Sequence, residues 1–232
     1  EELLDQLGVG VIMCDGEGRL SVFNRVAAEW HDVPAEPSVA LAQWADRYKL
    51  FEWDGLTRLS PERVPLARAF AGEVVRDAPM AIQNGERLRF IRANAAPLVD
   101  PDGRRIGALA VLHDVSALVD SEVMLRLQRA ALEAAANAIV ITDREGLILW
   151  ANKAFTALTG YTLEEARGKN PGALVRSERT PREVYTSMWD TILAGRVWSG
   201  EIINRKKDGT LYPEALTISP VLGPSGQPTH FI

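Results

Sequence analysis

An internal repeat constrains the fold of this chain more than any other feature of its sequence. Residues 11–24 and residues 139–152 share one pattern: an apolar run, a turn with Asp and Gly, a second apolar run and a closing asparagine. The two closing asparagines, Asn24 and Asn152, lie 128 positions apart. Each segment therefore predicts a β-hairpin that leads into a capped helix.

The repeat continues downstream, where residues 97–103 match residues 220–226 at an offset of 123. The chain is thus two copies of one unit of roughly 110 residues, which is a normal domain size. We predict a first domain over 1–116, a helical linker over 117–135 and a second domain over 136–232.

Both copies have the same predicted order of elements. A hairpin comes first, a helical and loop-rich middle follows, and three strands separated by Gly- and Pro-rich turns close the unit. This order predicts an α+β fold in which each copy has a five-stranded antiparallel sheet with helices on one face. The predicted strands are 9–14, 19–23, 74–80, 87–97 and 106–112 in the first copy, and 138–142, 147–151, 197–206, 210–220 and 228–232 in the second.

The last helix of the second copy has the most specific start signal. Thr180 is the predicted N-cap, Pro181 the first helical residue, and Glu183 the residue that closes a capping box. A wide apolar stripe follows, which should face a core or a cavity, made of Val184, Tyr185, Met188, Trp189, Ile192 and Leu193.

The segment between the copies, residues 114–136, contains no Gly or Pro and predicts a helix. Leu118, Leu125 and Leu132 are spaced by seven residues, which can support a coiled-coil seam. Two interpretations stay open: a seam between the linker helices of a homodimer, or a helix packed on its own domain.

Composition excludes several classes of function. The net charge is −5, with 26 Lys and Arg against 31 acidic residues, so the overall charge of the chain does not favour binding of nucleic acid. No apolar run approaches the roughly 18 residues of a membrane span, so we expect no direct membrane contact. Cys14 is the only cysteine and there are only three histidines, so a disulfide framework is excluded and no metal site is expected. We expect a cytoplasmic location.

With these residues in view, each copy resembles a PAS domain, the sensory module of bacterial signalling proteins. The first copy is the more divergent, and carries the resemblance in its hairpin and in residues 65–69, 72–73 and 113–116. In the second copy a highly specific set of segments carries it, namely residues 141–143, 150–155, 158–161, 168–171, 198–209 and 216–221.

The second copy is similar in particular to the PAS domains of the nitrogen-fixation regulator NifL and the methane-monooxygenase sensor MmoS, which hold FAD non-covalently and report redox state or oxygen. The resemblance implies that Trp189 and Asn204 contact the flavin, with Asn170 and Trp198 as weaker candidates. This chain departs from the pattern at Pro171, where NifL has a glutamate near the flavin. Light-sensing LOV domains have a reactive cysteine at that position, so Pro171 argues against thiol-adduct photochemistry.

The alternation of the predicted strand 197–206 makes a physical case for the same site. It places Trp198, Gly200, Ile202 and Asn204 on one face, which is mostly apolar or small. A flavin edge would satisfy an inward Asn204, while Trp189 and Ile202 could supply flat apolar walls. The alternatives are that Asn204 bonds a nearby turn and that Trp189 only packs in the core.

Other ligands have weaker support. Arg176 and Arg179 could meet the phosphates of FAD, although exposed loop arginines need no ligand. A haem would need an axial histidine, and neither 181–194 nor 61–72 contains one. The three histidines of the chain, His31, His113 and His230, lie elsewhere, so a haem in the first copy stays an open alternative. Core packing is the simpler explanation for the tryptophans of the first copy, Trp30, Trp44 and Trp53.

We therefore expect the tandem-PAS sensory region of a bacterial signalling protein, in particular a histidine kinase, in which the second copy binds FAD and senses redox state or oxygen. The rival hypothesis is a cofactor-free ligand-binding or dimerisation module that relays a signal to an output domain such as a diguanylate cyclase. No P-loop or nucleophile-elbow motif occurs, so we expect no catalytic residues in this chain. It stops within the last predicted strand, so we expect the output domain further along a longer protein.

Overall fold

The computed structural model describes residues 8–33 and 36–232, and residues 1–7 of the predicted first domain lie outside the described residues. The chain divides into two compact units, Glu1–Val123 and Met124–Ile232. The division falls inside one helix, α4 (Ser116–Ala134). Our domain limits, which set 117–135 apart as a linker, stay a prediction.

The first unit is a six-stranded antiparallel sheet in the order β2-β1-β6-β5-β4-β3 with short helices beside it. The five predicted strands are present, and β3 is a two-residue edge strand that is too short to produce a periodic signal. The elements are β1 (Gly10–Asp15), β2 (Leu20–Phe23), α1 (Arg25–His31), α2 (Trp44–Arg47), β3 (Leu50–Phe51), α3 (Pro65–Phe70), β4 (Val75–Asn84), β5 (Arg87–Val99) and β6 (Arg105–Asp114).

Side chains fill the core of the first unit. Trp44 is buried there, and its indole N–H donates to the carbonyl oxygen of Val39 at 3.2 Å. The cavity beside Trp44 measures only about 40 Å³ and its walls are apolar apart from His31 and Tyr48. A space of this size holds about one water molecule, so it has no room for a haem or another organic ligand.

The second unit follows the same plan with a divided sheet. One part has four strands in the order β11-β12-β7-β8, and the other pairs β10 with β9. The elements are β7 (Val140–Asp143), β8 (Ile148–Ala151), α5 (Lys153–Thr159), α6 (Leu163–Ala166), α7 (Pro171–Val175), α8 (Arg182–Leu193), β9 (Trp198–Arg205), β10 (Leu211–Ile218), β11 (Pro220–Leu222) and β12 (Pro228–Phe231).

The prediction of one unbroken strand over 210–220 is wrong. Ser219 interrupts it at the point where the pairing partner changes, since Ile218 pairs with β9 and Pro220 pairs with β12. Ser219 still exchanges backbone hydrogen bonds with Ile232, at 2.8 and 3.0 Å. Through Ser219, the chain therefore runs continuously from β10 into β11 and connects the pair β9-β10 to the four-stranded part of the sheet.

The two asparagines of the repeat have the same role in both units. Asn24 accepts hydrogen bonds from the backbone N–H of Val11 and of Ala27, and so joins β1 to the start of α1. Asn152 repeats this arrangement with Ile139 and Phe155. Its amide nitrogen also donates to the carbonyl oxygen of Leu132 at 3.1 Å, near the end of α4. One buried side chain thus fixes the hairpin, the next helix and the end of α4.

Helix α4 has no buried residue in the part of the chain that the structure describes. Leu118 and Leu125 are 69% and 65% exposed, which does not support the interpretation that the helix packs on its own domain. Among the helices that the structure describes, none combines the length and the apolar character needed to cross a membrane.

Candidate functional site

The second unit contains a cavity of about 810 Å³. Residues of β7, α7, α8, β9, β10 and β12 line it, so it lies between the sheet and the helices. Ligand pockets in proteins measure roughly 300–1,000 Å³, so this cavity has room for a cofactor. The two copies of the repeat therefore differ at their centres, since one core is packed and the other is hollow.

Strand β9 presents the face that its alternation predicts. Asn204 and Ile202 are buried and line the cavity. Trp198 is also buried on this face, but it is absent from the cavity lining. Its indole lies over Gly200, where an added Cβ would come within 2.7 Å of the ring. The structure therefore brings Asn204 and Ile202 to the cavity and places Trp198 in the adjoining core.

Glu214 on β10 pairs across the strands with Ile202, lies within hydrogen-bond reach of Asn204, and is a site residue that the sequence analysis missed. The Asn204 side-chain amide donates to the Glu214 carboxylate at 2.5 Å. Burial raises the pKa of Glu214, and the hydrogen bond from Asn204 opposes that rise. A carboxyl group and an amide thus face the cavity together, with donor and acceptor atoms available to a ligand.

Two tyrosine hydroxyls on the cavity lining have no hydrogen-bond partner among the residues that the structure describes. They belong to Tyr212, next to Glu214 on the inward face of β10, and to Tyr185 on α8. Burial raises the pKa of Tyr212 to about 12, the Glu214 carboxylate adds to the rise, and the Asn204 side chain opposes it. Unpartnered buried hydroxyls cost roughly 1–3 kcal/mol each, which a ligand that bonds to them would recover.

Trp189 forms an aromatic wall of the cavity together with Phe231. The two rings meet edge to face with centroids 5.9 Å apart. Gly146 lies against the indole, and a Cβ there would come within 2.6 Å of Trp189 and 2.9 Å of the Asn170 amide nitrogen. The structure therefore brings Trp189 and Asn170, two of the predicted site residues, together at one turn of the β7-β8 hairpin.

Asn170 also has a structural role, because its side chain caps α7 by accepting from the backbone N–H of Gly172 at 2.9 Å. Pro171 follows as the first residue of that helix and lines the cavity. The cavity wall at this position is a pyrrolidine ring, which has neither a thiol nor a carboxyl group.

The predicted capping box at Thr180 is wrong, because α8 begins at Arg182 and has no side-chain cap. The Thr180 hydroxyl bonds β9 instead: it accepts from the backbone N–H of Ile203 at 2.8 Å and donates to the carbonyl oxygen of Ile203 at 3.2 Å. Ser177 donates to the same oxygen. These bonds attach the loop before α8 to the residue next to Asn204.

The cavity lining as a whole fits a planar heterocycle. It combines an aromatic wall, the part-buried Asn204–Glu214 pair and two free hydroxyls, which suits a ring with carbonyl and N–H groups along one edge, such as a flavin. No group of three or more His, Cys, Asp and Glu side chains within 8–33 and 36–232 could hold a metal ion.

Comparisons with known proteins agree with the fold. Nitrogen fixation regulatory protein of Klebsiella oxytoca is 43% identical over 101 residues, which cover 44% of this chain and 20% of that protein. The aerotaxis receptor of Escherichia coli (strain K12) is 39% identical over 71 residues, covering 31% and 14%. Phototropin-1A of Oryza sativa subsp. japonica is 35% identical over 107 residues, covering 45% and 12%. The chain spans a fifth or less of the length of these relatives.

The family is evident from both halves of the chain. A profile of the PAS fold matches residues 4–120, and a second profile of the PAS fold matches residues 126–232. Each half also folds as an antiparallel sheet with helices. The chain therefore belongs to the PAS family and consists of two PAS domains in tandem.

Proposed function

We propose that the second PAS domain binds FAD non-covalently and senses redox state or oxygen for a bacterial signalling protein. The observation that carries the proposal is the cavity of about 810 Å³, whose lining contains both the Trp189 wall and the part-buried Asn204–Glu214 pair. The resemblance of residues 198–209 to FAD-holding PAS domains supports the same choice of cofactor. The packed core of the first domain favours a role without an organic ligand.

The residues of the cavity can respond to a change in the charge of the bound ring. A bound flavin would supply reversible electron transfer coupled to proton uptake. The Asn204 amide nitrogen donates to Glu214, and its oxygen and its second N–H would be available to the edge of a bound ring. Burial raises the pKa of the Glu214 carboxyl group, while the hydrogen bond from Asn204 opposes that rise. The hydrogen bonds of Asn204 therefore depend on the protonation of its two neighbours.

A route from Asn204 to the helices follows from the next residue along β9. Both polar atoms of the Ile203 peptide bond to Thr180, and its oxygen also bonds to Ser177. A shift of β9 at Asn204 would therefore move the loop that starts α8. We propose that this shift is the first step by which the cofactor changes the output of the protein.

An absorption spectrum of the purified chain tests the proposal. We expect flavin bands that bleach with dithionite and return in air, and a colourless protein that takes up no added FAD would overturn it. Asn204→Ala is expected to weaken FAD retention by about tenfold or more, since it removes the bonded amide. Glu201→Ala is the matched control, because Glu201 is exposed on the outward face of the same strand.

The remaining features of the proposal concern the longer protein. We propose a cytoplasmic histidine kinase that dimerises through its PAS domains and through α4, where Leu118 and Leu125 are exposed. Light scattering of the chain with Leu118→Asp and Leu125→Asp tests the dimer, which this pair of substitutions should dissociate. The second candidate function is a dimerisation module without a cofactor, and the packed core of the first domain favours that role for the first domain alone.

A further inference from the structure

We infer that Glu214 takes up a proton from water when the ligand ring in the cavity is reduced, so that the redox response of the second domain also depends on pH. The inference rests on the proposed function, because it assigns the regulation of the same site. It adds a second input: the redox state of the ligand and the pH of the surroundings together set the response.

Glu214 is the carboxyl group at the cavity that is withdrawn from water. Glu214 and Asp190 are the two carboxyl groups of the cavity lining among the residues that the structure describes. Glu214 is part-buried on β10 and bonded to the buried amide of Asn204. Asp190 on α8 is exposed, so water and salt screen its charge. A change of charge inside the cavity therefore acts on Glu214 more strongly than on Asp190.

The other titratable and charged groups at the cavity do not replace Glu214 in this role. Burial and the nearby Glu214 carboxylate raise the pKa of Tyr212 to about 12, so its hydroxyl stays protonated. Burial and the Asn204 hydrogen bond are the two causes that shift the pKa of Glu214, so no neighbouring cation holds it in the charged form. The remaining groups are a phenol, Tyr185, and three cations, Arg176, Arg182 and Lys206, whose Nζ lies 5.9 Å from the centre of the Tyr212 ring.

The proton balances the charge that reduction brings into the cavity. An electron donor, either dithionite or an electrode, loses two electrons, and a flavin ring that gains these with one proton carries one new negative charge. That charge and the Glu214 carboxylate repel each other in a poorly solvated space, and protonation of the carboxylate removes the repulsion.

The hydrogen bond from Asn204 decides which oxygen of Glu214 receives the proton. Asn204 donates to Oε2, so the new O–H bond forms on Oε1 with a proton from water, and oxidation of the ring releases that proton again. Glu214 is an acceptor before the step and offers a donor to the cavity after it. The bond between Asn204 and Glu214 is kept in both states.

The midpoint potential of the FAD-loaded chain, measured over a series of pH values, tests the inference. Each proton taken up lowers the equilibrium constant of a two-electron reduction tenfold per pH unit, which is about 30 mV. Above the ordinary carboxyl pKa of 4.5, we expect a pH window in which this constant falls by one further factor of ten per pH unit in the unsubstituted chain than in Glu214→Gln. Outside that window the two slopes should agree, because glutamine takes up no proton.

Infrared difference spectra of the unsubstituted chain, reduced at an electrode, give a second measurement that needs no variant. We expect the signal of a carboxylate to be replaced by that of a protonated carboxyl group on reduction, and the change to reverse on oxidation.

Two variants serve as controls. Glu201→Gln changes an exposed carboxylate on the outward face of β9, and Asp190→Asn changes the exposed carboxylate of the cavity lining. Both should keep the steeper slope. Equal slopes in Glu214→Gln and the unsubstituted chain, loss of the steeper slope in Asp190→Asn, or an infrared spectrum without the carboxyl signal would overturn the inference and leave the proposed function standing. If the chain binds no flavin, the proposed function itself fails and the inference with it.

Discussion

Gly146 offers the sharpest test of the cavity wall. Its φ is +80°, and a Cβ there would lie 2.6 Å from the end of the Trp189 indole and 2.9 Å from the Asn170 amide nitrogen. Carbon atoms in contact lie roughly 3.5–4.0 Å apart, so Gly146→Ala must move the edge of the indole by about 1 Å. The cavity is the open space beside Trp189, and we expect the indole to move into it.

Gly146→Ala is expected to have two separate effects, one on the stability of the second domain and one on its affinity for FAD. An alanine at this positive φ costs about 1 kcal/mol of stability, whether or not a ligand is present. With FAD bound, the displaced indole also overlaps the ligand, and overpacking of this kind costs about 1–3 kcal/mol. The second effect alone lowers the affinity for FAD, by roughly 5- to 150-fold.

Gly226→Ala is the matched control, because Gly226 has a φ of +76° and nothing lies within 4 Å of its added Cβ. Amide exchange in urea reports the stability of each domain separately, and FAD titration of the flavin-free chain reports affinity. We expect both variants to lose similar stability and only Gly146→Ala to lose affinity. Equal FAD affinity in the two variants would refute the reasoning, since Trp189 would then not border the bound ligand.

Three further predictions concern single side chains. Burial raises the pKa of Glu214, so the stability of the second domain should fall as the pH rises through that pKa. Glu214→Gln should therefore stabilise the flavin-free second domain at pH 7 and have little effect below the ordinary pKa of 4.5. Urea unfolding at each pH measures both effects. Thr180→Val removes both hydrogen bonds to the Ile203 peptide and should destabilise the second domain by about 1–3 kcal/mol in the same assay. Burial lowers the pKa of His31 from 6.5 to about 4. The first domain should therefore keep its full stability above pH 6.5 and lose up to about 3 kcal/mol as the pH falls to 4. A stability measured by amide exchange that does not change over this pH range would contradict the prediction.

Sequence periodicity predicted those features that depend on local pattern. The two closing asparagines, Asn24 and Asn152, marked a repeated hairpin and helix start, and both cap a helix in the structure. Alternation along β9 placed Asn204 and Ile202 inward, and both are buried at the cavity. Their role toward a flavin stays a prediction.

Features that depend on how elements meet were not predictable in this way. Tyr212 and Glu214 share one face of β10 with Leu216 and Ile218, a signal of period two that could have identified an inward carboxylate beside Asn204. Trp198 has the right phase on β9, but its ring turns over Gly200 because a glycine leaves that space free.

Thr180 has the sequence of a helix cap, and only the approach of β9 shows that its hydroxyl serves another backbone. A side chain that can satisfy a local helix end can equally satisfy a distant strand, and the sequence pattern is the same in both cases. The same limit applies to Arg176 and Arg182, whose position at the cavity depends on the path of the loop between α7 and α8.

The packed and hollow cores make the two domains respond differently to the concentration of a small molecule. The cavity beside Trp44 in the first domain measures only about 40 Å³, so we expect the folding equilibrium of that domain to be independent of ligand supply. The second domain contains a cavity of about 810 Å³ that no side chain fills. A ligand that binds there and is present at 100 times its dissociation constant would add about 2.7 kcal/mol to the stability of that domain. By mass action, the fraction of chains with an ordered second domain would then follow cofactor availability inside the cell, so that the protein would measure supply of its cofactor as well as the cofactor's chemical state.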